Sequence, residues 1–324
     1  MGEGAREGPP GVAGIHHVTA IAGDPQRNVD FYGGLLGLRL VKRTVNFDDP
    51  GSYHLYYGDA LGRPGTLMTF FPWPGAPSGR RGTGQVGVTA FSVPVEGLGF
   101  WVDRLRAAGV ELDGPTRRFE EEAIAFADPD GLVLELVASR SADRGAPWEG
   151  GPVPAEHSIR GLHSVALWVE GYERTAHVLQ TLGLQASGDE GNRFRFHGLA
   201  GPGGVADLLC MPEKARGQTL AGTVHHVAWR ASDEAEQLAW RTSLAAEGLN
   251  VTPVLDRIYF RSIYFREPGG VLFEIATDPP GFTTDEPPES LGRSLRLPPW
   301  LEAHRERIEQ ALPPLAEPGA AGPG

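Results

Sequence analysis

Apolar and polar positions along the chain follow one succession of patterns four times over. Each copy opens with a short β-type run: Gly14-Ile15-His16-His17-Val18-Thr19, Gln85-Val86-Gly87-Val88-Thr89-Ala90, Gly161-Leu162-His163-Ser164-Val165-Ala166 and Thr223-Val224-His225-His226-Val227-Ala228. A segment with helical apolar spacing comes next, as at Phe31, Leu35 and Leu36, or at Leu238, Trp240, Leu244 and Ala245. Each predicted helix stops at a glycine followed by an aliphatic residue: Gly37-Leu38, Gly109-Val110, Gly183-Leu184 and Gly248-Leu249. Glycine there can take the left-handed conformation that closes a helix, and the aliphatic side chain can fold back on the last turn. Strand-like runs follow, ending in Gly65-Thr66-Leu67-Met68-Thr69, Gly131-Leu132-Val133-Leu134-Glu135, Gly204-Val205-Ala206-Asp207-Leu208 and Gly270-Val271-Leu272-Phe273-Glu274. The repeating unit is therefore βαβββ, most degenerate in the third copy around Ser187 to Arg195.

This phase agreement predicts an α+β protein of four modules in two tandem domains. The expected boundaries are a disordered stretch 1–13, an N-terminal domain 14–139 (modules one and two), a Gly/Pro- and charge-rich linker 140–156, and a C-terminal domain 157–280 (modules three and four). A tail 281–324 carries a short helix from Pro299 to Leu312 and a disordered end from Pro313 to Gly324. A formal charge of −12 argues against a nucleic-acid partner, which needs a concentrated basic surface. The single Cys210, expected as a buried strand residue, excludes a disulfide framework or a thiolate-rich metal site. The polar Met1–Gly14 lacks the apolar core of a signal peptide, and no apolar run approaches membrane-span length, so a cytoplasmic location with no membrane association is expected.

The repeats also test the histidines. Aligning first strands puts Gly87, Ser164 and His226 at the position of His17; aligning last strands puts Thr69, Glu135 and Leu208 at that of Glu274. Modules one and four together offer His17, His226 and Glu274. Modules two and four would offer Glu135, His226 and Glu274, with one imidazole, and the other pairings offer two ligands or fewer. Two imidazoles and a carboxylate form the facial triad of non-haem Fe(II) enzymes, with up to three positions open for substrate and dioxygen. A structural zinc would want a closed set of four, and no fourth ligand is evident. Glu274 between Phe273 and Ile275 would be costly to bury without a cation.

At these residues the chain resembles the vicinal oxygen chelate superfamily of glyoxalases, extradiol dioxygenases and bleomycin-resistance proteins. More narrowly it resembles the hydroquinone ring-cleaving dioxygenase branch. The matching stretches span nearly the whole chain and include His16-His17-Val18-Thr19, Val41-Lys42-Arg43-Thr44-Val45, Tyr53-His54-Leu55-Tyr56-Tyr57, Glu190-Gly191-Asn192-Arg193, His225-His226, Gly269–Glu274 and Asp285-Glu286. The resemblance implies metal ligands from the first and last modules, here His17, His226 and Glu274, holding Fe(II), or Mn(II), which the same set binds. It places His16, Thr19, His225, Arg257 and Tyr264 around them as candidate catalytic residues. Many members form homo-oligomers.

The expected reaction is oxygen-dependent cleavage of a hydroquinone- or catechol-type diol beside a hydroxyl-bearing carbon, so the expected partners are a small aromatic diol and O2. The metal would lower the phenol pKa, Arg257 would set a fixed positive charge opposite the phenolate, and His225, His16 or Tyr264 would move protons. On a regular strand His16 and His17 face opposite sides, as do His225 and His226, so one of each pair is expected to point away from the site. His54, His163, His177 and His197 have no such partners and read as structural or exposed. Tyr56, Phe70 and Trp229 read equally as pocket lining or plain core. Two alternatives remain open at this stage. One is a glyoxalase-like isomerase or lyase, whose four-ligand site Thr69 would spoil; the other is a drug- or quinone-binding protein without chemistry.

Overall fold

The computed structural model describes residues 9–140, 142, 145–198 and 203–318. Module one comprises β1 (Ile15–Ala22), α1 (Pro25–Val29) running on as a π-helix (Asp30–Leu35), β2 (Arg39–Asn46), β3 (Asp49–Gly58) and β4 (Leu67–Pro72). Module two has β5 (Gln85–Val93), α2 (Leu98–Ala107), β6 (Leu112–Arg118), β7 (Glu121–Ala127) and β8 (Val133–Ala138). Module three has β9 (Leu162–Val169), α3 (Glu173–Thr181), β10 (Gln185–Glu190), β11 (Arg193–His197) and β12 (Val205–Cys210). Module four has β13 (Thr223–Ala231), α4 (Glu234–Ala246), the two-residue β14 (Leu255–Asp256), β15 (Arg261–Arg266) and β16 (Leu272–Thr277). The βαβββ unit is thus present four times. Asp24 and Asp233 start α1 and α4 by accepting the backbone N–H groups of Arg27 and Glu236, each at 2.8 Å. Gly37, Gly109, Gly183 and Gly248 all have positive φ where the helical segments end, the conformation the repeat pattern requires.

The strands form two eight-stranded sheets, ordered β14-β15-β16-β13-β1-β4-β3-β2 and β10-β11-β12-β9-β5-β8-β7-β6. Each sheet draws one module from each half of the chain: one with four, two with three. The seam is antiparallel in both, β1 on β13 and β5 on β9. One continuous apolar core joins the sheets and helices, with Trp101 of α2 and Trp240 of α4 among its buried side chains.

Each of the two seams is irregular at two places. From Ile15↔Trp229 to His17↔Ala228, β1 advances two residues and β13 one; from Thr19↔His226 to Ala20↔Val224 the excess is on β13. The extra residues are His16 and His225. The same shifts recur in the second sheet at Gly87 and His163. A bulge of this kind suspends strict alternation and re-aims side chains.

Several expectations are revised. Residues 1–8 lie outside the described set, but Val12 is buried and its N–H donates to the Leu182 carbonyl at 2.9 Å, which ties the entering chain to module three. In the linker, Val153 is buried against Gly37; Ser141, Asp143 and Arg144 lie outside the described residues. The tail helix is shorter than predicted, a 3₁₀ turn (Glu302–His304) leading into α5 (Arg305–Ala311). Chain beyond it stays attached as far as residue 318, because Tyr53 and Arg43 donate to the carbonyls of Pro313 and Leu315 and Pro318 lies on Gly33; residues 319–324 are outside the described set. Cys210 is half-buried at the end of β12, its thiol donating to the Glu170 carbonyl.

In the second sheet, ion pairs occupy the region that corresponds to the candidate ligands of the first. Glu135 is paired with Arg118. Glu121 bridges His163 Nε2 at 2.8 Å and Arg195 at 2.6 Å, and Arg195 continues to Asp207 at 2.8 Å. Burial alone would raise the Glu121 carboxyl, but His163 and Arg195 outweigh it and hold it at about 2. A carboxylate with a depressed pKa stabilises the fold above its unfolded value, and that contribution is lost as pH falls through about 2. Glu121→Gln is expected to cost about 2–3 kcal/mol at pH 7. The gap should close progressively below pH about 4, which urea unfolding at stepped pH measures.

Candidate metal centre

His17 on β1, His226 on β13 and Glu274 on β16 are buried and converge. The first-sheet seam makes this possible, since it sets module one against module four. His17 Nε2 lies 3.3 Å from His226 Nε2, and Glu274 Oε2 lies 3.4 Å from the first and 2.9 Å from the second. Among the described residues this is the one group of three ligating side chains whose donor atoms lie within 4.8 Å of one another.

The bulged neighbours orient the imidazoles. His16 Nδ1 is 2.9 Å from His17 Nδ1, and His225 Nδ1 is 2.8 Å from His226 Nδ1. Both bulges turn the preceding ring onto the candidate ligand; His225 thereby reaches the cavity wall together with His226, against the alternation of a regular strand, whereas His16 stays outside the cavity. With each ligand Nδ1 donating to its neighbour, each Nε2 presents a lone pair. Glu274 Oε1 accepts from Ser262 Oγ at 2.5 Å, whereas buried Oε2 faces the two Nε2 atoms. In that tautomer two nitrogen lone pairs and a carboxylate oxygen meet, which is the donor set of a cation site. Burial alone would raise the Glu274 carboxyl; charge and hydrogen bonds from protonated His17 and His226 hold it well below the usual range, a part that a cation would take over from neutral imidazoles. Burial, then the neighbouring His226, pushes His225 down to about 3. His16 is pushed well down by burial and then by His17.

Beside the triad lies a cavity of about 330 Å³. Phe47, Phe71, Trp73, Phe260 and Leu272 supply its apolar surface, and Asp48, His54, Tyr56, His225, Arg257 and Tyr264 its polar groups. His225, Arg257 and Tyr264 are thus brought to the site. His16 stands behind His17 and Thr19 is buried beside Thr69, so neither lines the cavity. Arg257 reaches Asp48 at 3.2 Å and lies 5.6 Å from the centre of the Tyr264 ring, which in turn stands edge-on to His226. Burial raises the Tyr264 phenol above its usual value, with the Glu274 charge adding to it. Phe260 sits against both His16 and His17, with ring centres 5.1 Å away in each case.

Sequence reasoning missed the apolar lining (Phe47, Phe71, Trp73, Phe260 and Leu272), Asp48, and two hydrogen-bonding residues, Ser262 and His54. Ser262 holds Glu274, and nothing in its local pattern signals that role. His54 was read as structural or exposed, yet it lines the cavity with Nε2 3.0 Å from Thr69 Oγ1. Its signal lay in the repeat: β3 and β15 are the same strand of the unit, and His54 occupies in one the place Ser262 occupies in the other. Of the remaining histidines, His163 is in the second-sheet ion pairs and His177 forms an exposed pair with Glu247. Tyr56 lines the cavity, whereas Phe70 and Trp229 are core.

The family model of the Glyoxalase/Bleomycin resistance protein/Dioxygenase superfamily matches residues 14–136 and 161–275. MhqO of Bacillus subtilis (strain 168), which bears the name of a ring-cleaving dioxygenase, is 51% identical over 302 residues, covering 93% of this chain and 96% of the relative. The chlorohydroquinone/hydroquinone 1,2-dioxygenase of Sphingobium indicum is 37% identical over 316 residues, covering 94% and 97%. A B. subtilis crystal structure bearing a dioxygenase name superposes with TM-score 0.91 at 49% identity, covering 95% and 98%. Glyoxalase I of Zea mays shares the fold, with TM-score 0.60 at 17% identity over 82% of this chain and 92% of that one. The chain belongs to the glyoxalase/bleomycin resistance protein/dioxygenase superfamily and stands among its ring-cleaving dioxygenases.

Proposed function

We propose that this protein cleaves the ring of a hydroquinone- or catechol-type diol with O2, using a metal held by His17 Nε2, His226 Nε2 and Glu274. Fe(II) is the expected ion and Mn(II) the alternative. The observation that carries the reading is the buried convergence of two imidazole nitrogens and Glu274 Oε2 at the wall of an aromatic-lined cavity. Bound there, the metal supplies Lewis acidity toward a phenol oxygen and open positions for dioxygen.

The chain's own groups do the rest. Phe71, Trp73, Phe260 and Leu272 accept the ring and exclude water from it. Arg257 offers a permanent positive charge to a phenolate. His225, neutral at pH 7 because burial holds it near 3, accepts from His226 at Nδ1 and so carries its own proton at Nε2, which it can offer as a hydrogen bond to a substrate oxygen. Tyr264 keeps its own proton and can donate it as a hydrogen bond. A glyoxalase-like four-ligand site is disfavoured: Thr69 occupies the fourth position and its hydroxyl is engaged by Thr19 at 2.8 Å and by His54. Among the described residues no helix is long and apolar enough to cross a membrane. A cytoplasmic location is part of this proposal.

The test is oxygen uptake by anaerobically Fe(II)-loaded protein given hydroquinones and catechols. Uptake stoichiometric with substrate, and absent after chelation, is the expected result. Tight retention of a diol by the chelated protein, with no uptake when loaded, would instead mark a sequestering protein.

A further inference from the structure

The cavity wall formed by module one carries a line of hydrogen bonds that the mechanism above does not use. Across the first sheet, Tyr56, Thr69, Thr19 and His226 are successive partners on β3, β4, β1 and β13. The internal repeat sets against them Tyr264, Glu274, Ala228 and His17 on β15, β16, β13 and β1. The two rows are equivalent, with two exchanges: where the second holds Glu274 and Ala228, the first holds Thr69 and Thr19.

Thr69, freed from ligation, organises its side of the cavity. Its hydroxyl is 2.8 Å from Thr19 Oγ1 and 3.0 Å from His54 Nε2, and His54 Nδ1 is 2.8 Å from Tyr56 Oη. The chain Thr19–Thr69–His54–Tyr56 is continuous and ends at a phenol on the cavity wall. A neutral imidazole has one N–H and one lone pair, and the hydroxyls can each donate or accept, so the chain can run in either direction. In one direction Tyr56 donates to His54 and its oxygen is open to accept; in the other it receives from His54 and its proton is open to donate. Phe282 of the tail fixes the Tyr56 ring from outside, 5.0 Å between centres. Burial keeps the Tyr56 phenol protonated, and Tyr264 and Arg257 are among the groups it feels across the cavity.

We propose that Tyr56 Oη is the hydrogen-bonding partner of the diol hydroxyl that is not on the metal, and that Thr19, Thr69 and His54 position it. The inference rests on the ring-cleaving reading and assigns a selectivity for diols over monophenols to one residue. A hydroxyl that changes from donor to acceptor as the ring opens is met at each stage by reversal of the chain, without movement of Tyr56.

The experiment is anaerobic calorimetry of hydroquinone and of phenol, which lacks the second hydroxyl, on metal-loaded wild type, Tyr56→Phe and His54→Phe. Oxygen uptake, melting temperature and metal content are read on the same samples. Wild type is expected to prefer hydroquinone by about three- to tenfold, the range of one net hydrogen bond. Tyr56→Phe should lose the preference with phenol affinity unchanged, and His54→Phe should lose most of it. Retention of the wild-type preference by Tyr56→Phe overturns the proposal, and if that variant does not fold, retention by Thr69→Val does so in its place. Hydroquinone cleavage with the preference intact in the variant defeats this inference alone. Failure of loaded wild type to bind or oxidise any diol defeats the ring-cleaving reading with it.

Discussion

Glu274→Gln is expected to leave a folded protein that loses its metal on dialysis and has lost more than about a hundredfold in turnover, beyond what changes behind a ligand produce. Glutamine keeps the volume and can still accept from Ser262 Oγ, so the local packing around β15 and β16 survives. What disappears is the negative charge that faces the two Nε2 atoms. In the chelated state the variant should melt close to chelated wild type. On addition of metal only wild type should gain stability, because a ligand stabilises the folded state by its binding to it. Elemental analysis after dialysis, paired melting curves with and without metal, and oxygen uptake give three independent readings. Retention of one equivalent of metal by the variant, or an equal deficit in both chelated and loaded samples, would make Glu274 a structural carboxylate rather than a ligand.

Lys42→Met should destabilise the fold by about 3 kcal/mol, toward the lower end of the cost of breaking a buried ion pair from one side. Lys42 on β2 is fully buried, its ammonium 2.5 Å from Asp285, in contact with Glu286, and 4.8 Å from the Tyr259 ring centre. Methionine fills the space but leaves two carboxylates without their cation. Arg296 at 3.3 Å and Ser294 at 3.2 Å still attend Glu286, which is why the lower end is expected. The tail should loosen with it, since Asp285 and Glu286 fasten the chain after Phe282 to module one. Urea unfolding and limited proteolysis between Pro279 and Pro318 measure the two effects. Adding Asp285→Asn and Glu286→Gln should recover most of the loss; no recovery would show that Lys42 acts through packing and not through charge.

The sequence determined the repeat and the candidate ligand set of this protein. Four phased βαβββ patterns are local, because helix and strand periodicities and helix-closing glycines are written within a few residues of one another. His17, His226 and Glu274 stood out because equivalent positions in the other copies hold residues that cannot ligate in the same combination. Tertiary structure decided which modules share a sheet, and with it the meeting of residues 209 positions apart. It also decided that His16 and His225 turn back onto the ligands, against the alternation their strands predict. Both bulges arise from register between strands of different modules, which no window of sequence contains. His54, Ser262 and the anchoring of the tail on Lys42 belong to the same class. A side chain's identity fixes which bonds it can make, but only the paired strands decide which partner lies within 3 Å.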